Sequence, residues 1–150
     1  MTITKQNVLI LNEDPGWIDA LSGNINEFNP TMAVAGVTDI SSFVAQAGDF
    51  DLVLSNYIQF GELQYFDLAD TIRQVRSEHP KLPYIILTCD PKEPAQDFAD
   101  DGLTEVVDAN SSQCYTGERI LDKALCRWLT PSDTTAKRVL LGFDEITDII

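Results

Sequence analysis

Phe50-Asp51-Leu52-Val53-Leu54-Ser55-Asn56-Tyr57 decides the fold. Leu52-Val53-Leu54 is an unbroken apolar run, as in a strand covered on both faces. The run closes on two polar residues, Ser55 and Asn56, and the loop Ile58-Gln59-Phe60-Gly61 follows. In an open parallel sheet, ligands and chemistry gather where the carboxyl ends of strands meet loops. Asn56 stands at such an end, so its amide governs the functional reading.

Two further runs have the same character. Val8-Leu9-Ile10-Leu11 is apolar throughout and leads into Asn12-Glu13-Asp14-Pro15. Asp14 suits a helix N-cap and Pro15 the first helical position. Ile18, Leu21, Ile25 and Phe28 then recur at spacings of three and four, one apolar helical face closed by Asn29-Pro30. Tyr84-Ile85-Ile86-Leu87-Thr88 is the third run, with Asp90-Pro91 repeating the cap-then-proline signal.

Weaker segments fill the intervals. Met32 to Val37 reads as a short strand of small residues. Asp39, Ser41 and Ser42 offer caps for a helix through Phe43, Val44 and Ala47, with Gly48 as its stop. Tyr65, Leu68, Ile72 and Val75 form a third helical stripe, and Ala95, Phe98 and Ala99 a fourth. Thr104 to Asp108 is a fifth strand. Leu121, Leu125 and Trp128 mark a last helix beginning near Gln113. Strands and helices alternate five times, which predicts an α/β fold with a doubly wound parallel sheet.

Composition narrows the function. The chain has 150 residues, 44% hydrophobic and 23% charged, with a net charge of -14. No run approaches the ~20 apolar residues of a membrane span, and the first residues lack a signal peptide's apolar core. A cytoplasmic location is expected. The negative charge disfavours nucleic acid and anionic membrane as partners. Cys89, Cys114 and Cys126 show no metal or redox spacing and read as packing residues. His79, the one histidine, reads as a surface residue after a helix. A zinc site or a Ser-His-Asp triad lacks material.

With Val8 to Pro15, Phe50 to Asn56 and Leu82 to Thr88 at these spacings, residues 7 to 129 resemble the receiver domain of bacterial response regulators, of the chemotaxis-regulator type. The resemblance implies a flavodoxin-like sheet of order 2-1-3-4-5 across residues 1–129, with 130–150 as a C-terminal extension. It also implies a signalling role. In that family an acidic pair after the first strand holds Mg²⁺, and an Asp ending the third strand is phosphorylated. A Thr or Ser after the fourth strand and a Lys after the fifth contact the phosphoryl group.

The match here is partial. Glu13 keeps one acid of the pair, and Asn12 replaces the other. Asn56 stands at the phosphoacceptor position, Thr88 is kept, and Ala109 occupies the lysine position. Val106 stands at the position of a switch aromatic. An aspartyl phosphate needs an anionic carboxylate as nucleophile, and the amide of Asn56 carries no such charge. Mg²⁺ prefers one or two carboxylates, so Glu13, even with Asp14, makes a poor cage. Ala109 supplies no positive charge for the phosphoryl oxygens. Asp51 lies about 16 Å from Asn56 at ~3.3 Å per residue, and Ser55 points to the opposite face.

Three function classes are compatible with this fold to different degrees. The first is a degenerate receiver: no enzyme, no cofactor, binding a signalling protein or a second copy without phosphorylation. The second is a flavodoxin-like carrier of a flavin or other small ligand, for which the acidic Asn12-Glu13-Asp14-Pro15-Gly16 loop is ill suited. The third is an enzyme of another kind, for which no nucleotide loop, nucleophile elbow or metal cluster is evident. Asn12, Asn56 and Thr88 are then expected to bond one another and nearby loop backbone.

The extension carries Val139, Phe143, Ile146 and Ile150 at spacings of four, three and four. This predicts an amphipathic helix whose stripe is buried on its own domain, on a second copy or on a protein partner.

Overall fold

The computed structural model describes residues 6–56, 68–88, 98, 102–108 and 120–132. Five strands form one sheet: β1 (Asn7–Leu11), β2 (Ala33–Val37), β3 (Leu52–Asn56), β4 (Tyr84–Thr88) and β5 (Thr104–Asp108). All neighbours are parallel, and the order is β2-β1-β3-β4-β5. The parallel α/β sheet is as the alternating pattern predicts, and its flavodoxin-like order is the one the family resemblance implies. The described helices are α1 (Pro15–Phe28), α2 (Ile40–Gln46), α3 (Leu68–Glu78) and α4 (Ile120–Leu125).

Parity along the apolar runs builds two layers. Ile10, Leu54 and Ile85 face α1 and α4, against Ile25, Phe28 and Leu125. Leu9, Val53 and Ile86 face α2 and α3, against Phe43, Ile72 and Val75. The three central strands are thus covered on both sides, which is why they show no polar alternation. Each fully buried side chain of this size contributes about 1.5–3 kcal/mol.

Local chemistry sets the helix starts. Asp14 caps α1 by accepting from the Gly16 N–H at 2.8 Å, with Pro15 at the first position. Asp39 caps α2, accepting from the Ser42 N–H at 2.8 Å and from its hydroxyl at 2.9 Å. Those two bonds hold the Asp39 carboxyl below its ordinary value of 3.8. A depressed carboxylate contributes fully above the ordinary value and loses that contribution as acid titrates the folded group.

At Gly48, His79 and Trp128 the structure differs from the sequence expectation. Gly48 does not stop α2 in a left-handed turn. It lies inside a 3₁₀ turn, Ala47–Asp49, and the positive-φ glycine among the described residues is Gly102. The imidazole of His79 packs close over this turn: a Cβ at 48 would fall 2.5 Å from His79 Cε1. His79 is accordingly half-buried rather than a surface residue. Trp128 also lies past the last α-helical turn. The Arg127 and Trp128 N–H groups reach back three residues, to Ala124 and Leu125, which tightens the helix end.

One fastening has no local sequence signal. Arg76, on α3, donates to the carbonyls of Leu82 and Leu103 (the latter at 3.3 Å) and to Thr104 Oγ1 at 3.1 Å. It ties the amino ends of β4 and β5 together. The carboxyl ends are left to the candidate site. The expectations at Tyr65, Ala95, Ala99, the Asp90-Pro91 cap and the helix start near Gln113 lie outside the described residues.

Candidate functional site

Register places the carboxyl-end residues. Leu11 pairs with Val37 on one side and Ser55 on the other, so Asn12, one step on, comes level with Asn56. Asn56 pairs with Leu87, and Thr88 pairs with Asp108. Parity puts Asn56 on the side of Leu52 and Leu54, facing the α1–α4 layer. Ser55 points the other way, its Oγ 2.6 Å from the Tyr84 hydroxyl, under the ring of Phe43. Burial pushes the Tyr84 phenol well above its ordinary range. Ser55 and Tyr84 therefore act as a neutral, buried pair on the face of the sheet opposite Asn56.

Asn12 is buried and already employed. Its Oδ1 accepts from the Asp14 N–H at 2.9 Å, and its own N–H donates to the Val37 carbonyl at 3.2 Å. An amide here shapes the turn from β1 into α1. Of the two acids that follow, Asp14 is engaged as the helix cap, and Glu13 is half-buried at the rim. Thr88 is buried at the end of β4.

Asn56 differs. Its Oδ1 is buried and has no hydrogen-bond partner among the described residues. A buried acceptor left unmatched costs about 1–3 kcal/mol. The oxygen at this strand end is an acceptor without charge, neither a nucleophile nor a strong metal ligand.

Asp108 joins this rim without a motif to announce it. It ends β5, half-buried, in register with Thr88. The only signal available was its place as the last strand residue. Val106, two positions earlier, packs with the α2–α3 layer. Ala109 lies outside the described residues, as do Cys89, Cys114, Val139, Phe143, Ile146 and Ile150. Cys126 is half-buried; burial, with Asp122 beside it, pushes its thiol up. It is a neutral packing group at physiological pH.

The Mg²⁺ implied by the family resemblance does not fit these residues. Among the described residues, no three His, Cys, Asp or Glu side chains come together to hold a metal ion. Two of the positions facing the pocket carry amides, and one of the two nearby acids is spent on α1. No helix among the described residues is long and apolar enough to cross a membrane.

No family model and no curated protein matches the sequence. Solved structures do match in fold. Chemotaxis protein CheY4 of Vibrio cholerae is 20% identical, with TM-score 0.64 over 84% of this chain and 100% of its own. The isolated receiver domain of RcsB from Salmonella enterica serovar Typhimurium is 15% identical, with TM-score 0.64 over 89% of this chain and 98% of its own. A pilus assembly-related protein of Burkholderia pseudomallei is 14% identical, with TM-score 0.57 over 88% of this chain and 100% of its own. The chain has the receiver-domain fold.

Proposed function

We propose that the chain is a signalling module of the response regulator receiver type that works without phosphorylation, by binding a protein partner. The observation that carries this reading is the pair of amides at the carboxyl end. Asn56 takes the place of the nucleophile, and Asn12 is committed to the Asp14 backbone at 2.9 Å. A receiver with these residues keeps the scaffold and lacks the charged parts of the reaction. Without closely spaced carboxylates, the pocket has no mutual repulsion for a metal to relieve. It is suited to hold one conformation unaided. The chain then acts as a binding surface rather than an enzyme, needs no cofactor, and meets its partner in the cytoplasm.

Thermal melts test this directly. Mg²⁺ at millimolar concentration, alone or with beryllofluoride as phosphoryl mimic, is expected to leave the melting temperature unchanged. A ligand that bound only the folded state would raise it through linkage. A saturable rise that disappears in Glu13→Gln would overturn the proposal, because the acid-based site would still be at work.

A further inference from the structure

We propose that residues 133–150 dock back onto α1 of their own chain, along the flank that carries Trp17. Trp17 is the large hydrophobic side chain exposed among the described residues, at 50%. It shares a helical flank with Ala20 and Asn24, at spacings of three and four. The opposite flank of α1 is taken, since Ile18 lies against Gly36 of the edge strand β2. The Trp17 flank therefore turns away from that edge, toward the side where α4 covers the same layer.

The chain leaves the domain at the right place. Asn29 Nδ2 donates to the Thr130 carbonyl at 2.8 Å, and the Thr130 N–H donates to Gln6 Oε1 at 2.8 Å. The Ser132 N–H donates to the Phe28 carbonyl at 3.0 Å. Residue 132 is thus pinned to the last residue of α1. A helix running back from there advances ~1.5 Å per residue, as α1 does. Phe143 is eleven residues beyond Ser132, and Trp17 is eleven before Phe28. Folded back, Phe143 comes level with Trp17 and Val139 with Leu21. Ile146 and Ile150 continue past the first turn of α1, toward the rim at Asn12 and Glu13.

Charge and phase agree with this docking. At 100° per residue, Val139, Phe143, Ile146 and Ile150 share one side, while Asp144 and Asp148 fall on the other, in water. Residues 6–56 contain seven Asp or Glu and no Lys, Arg or His. Arg138, on the flank of the stripe, comes level with Ser22, between Asp19 and Glu27. The tether decides between self-docking and a second copy. An attached segment sees its site at a millimolar effective concentration, which a free copy rarely reaches. This contact does not depend on the signalling reading.

Acrylamide quenching of tryptophan in the full chain tests it. Trp128 is partly buried on the same layer, so Trp17→Phe is measured in each background, and the difference is the Trp17 share. Phe143→Asp is expected to raise quenching of Trp17 about twofold, because a ring half open to solvent loses its cover. Val139→Asp serves as a second release variant, and the wild-type chain is expected to sediment as a monomer. Equal quenching of Trp17 in the wild type and both variants would overturn the proposal. So would a wild-type dimer whose Trp17 protection disappears on dilution, which would place the stripe on a second copy.

Discussion

Phe28→Ala is expected to remove about 3–5 kcal/mol of folding stability, the range for emptying a buried phenylalanine site. Phe28 is fully buried in the last turn of α1, among Ile25, Leu125 and Leu129. The main chain at this residue also fixes the segment after α4, through the bond from the Ser132 N–H to the Phe28 carbonyl. The neighbours cannot collapse into the cavity without moving α1 off the sheet or α4 off α1. Urea unfolding followed by far-ultraviolet circular dichroism measures the loss. A change below about 1 kcal/mol would show that this end of the layer is loosely packed.

The second large effect is expected at Gly36. A Cβ on this residue would fall 2.2 Å from Ile18 Cγ2 and 3.3 Å from Ile18 Cβ. The nearest atom belongs to a β-branched side chain with few χ1 choices, and Ile18 Cβ stays 3.3 Å away in every rotamer, so rotation relieves the clash only in part. Gly36→Val adds two further methyl groups in the same space and is expected to cost about 3 kcal/mol, the upper end of overpacking effects. Gly36→Val with Ile18→Ala is expected to recover much of the loss. A single variant as stable as the wild type, by the same urea titration, would mean that α1 does not sit this close to β2.

These two residues also illustrate what the sequence made legible. Phe28 was readable because it closes a run at helical spacing that begins at Ile18. The strands were readable because β1, β3 and β4 are covered on both faces, leaving apolar runs, and those of β1 and β4 are followed by cap-then-proline pairs. Gly36 gave no warning, since its reason is a contact with a residue eighteen positions earlier, across the sheet face. The same holds for the packing of His79 over Gly48 and for Arg76 on the carbonyls at 82 and 103. Each is a meeting of segments that no local pattern records.

At the site, identity was legible and employment was not. The amides at 12 and 56 could be read directly. That Asn12 holds the Asp14 backbone, that Asn56 Oδ1 lacks a partner among the described residues, and that Asp108 lies beside Thr88 required the register of the sheet. The likeness to solved structures at 14–20% identity establishes a shared fold. Function at this strand end follows from the residues that stand there. A carboxamide cannot attack phosphorus as a carboxylate does, and no rearrangement of the loop changes that chemistry.

The most direct measurement of the central claim is the intact mass of the protein after incubation with acetyl phosphate and Mg²⁺. The expected result is an unchanged mass for the wild type and for Asn56→Asp, because the metal and lysine positions remain altered. The triple variant Asn12→Asp, Asn56→Asp and Ala109→Lys is expected to gain a fraction about 80 Da heavier, the mass of one phosphoryl group. A base-labile gain of that size in the wild-type protein would contradict the account.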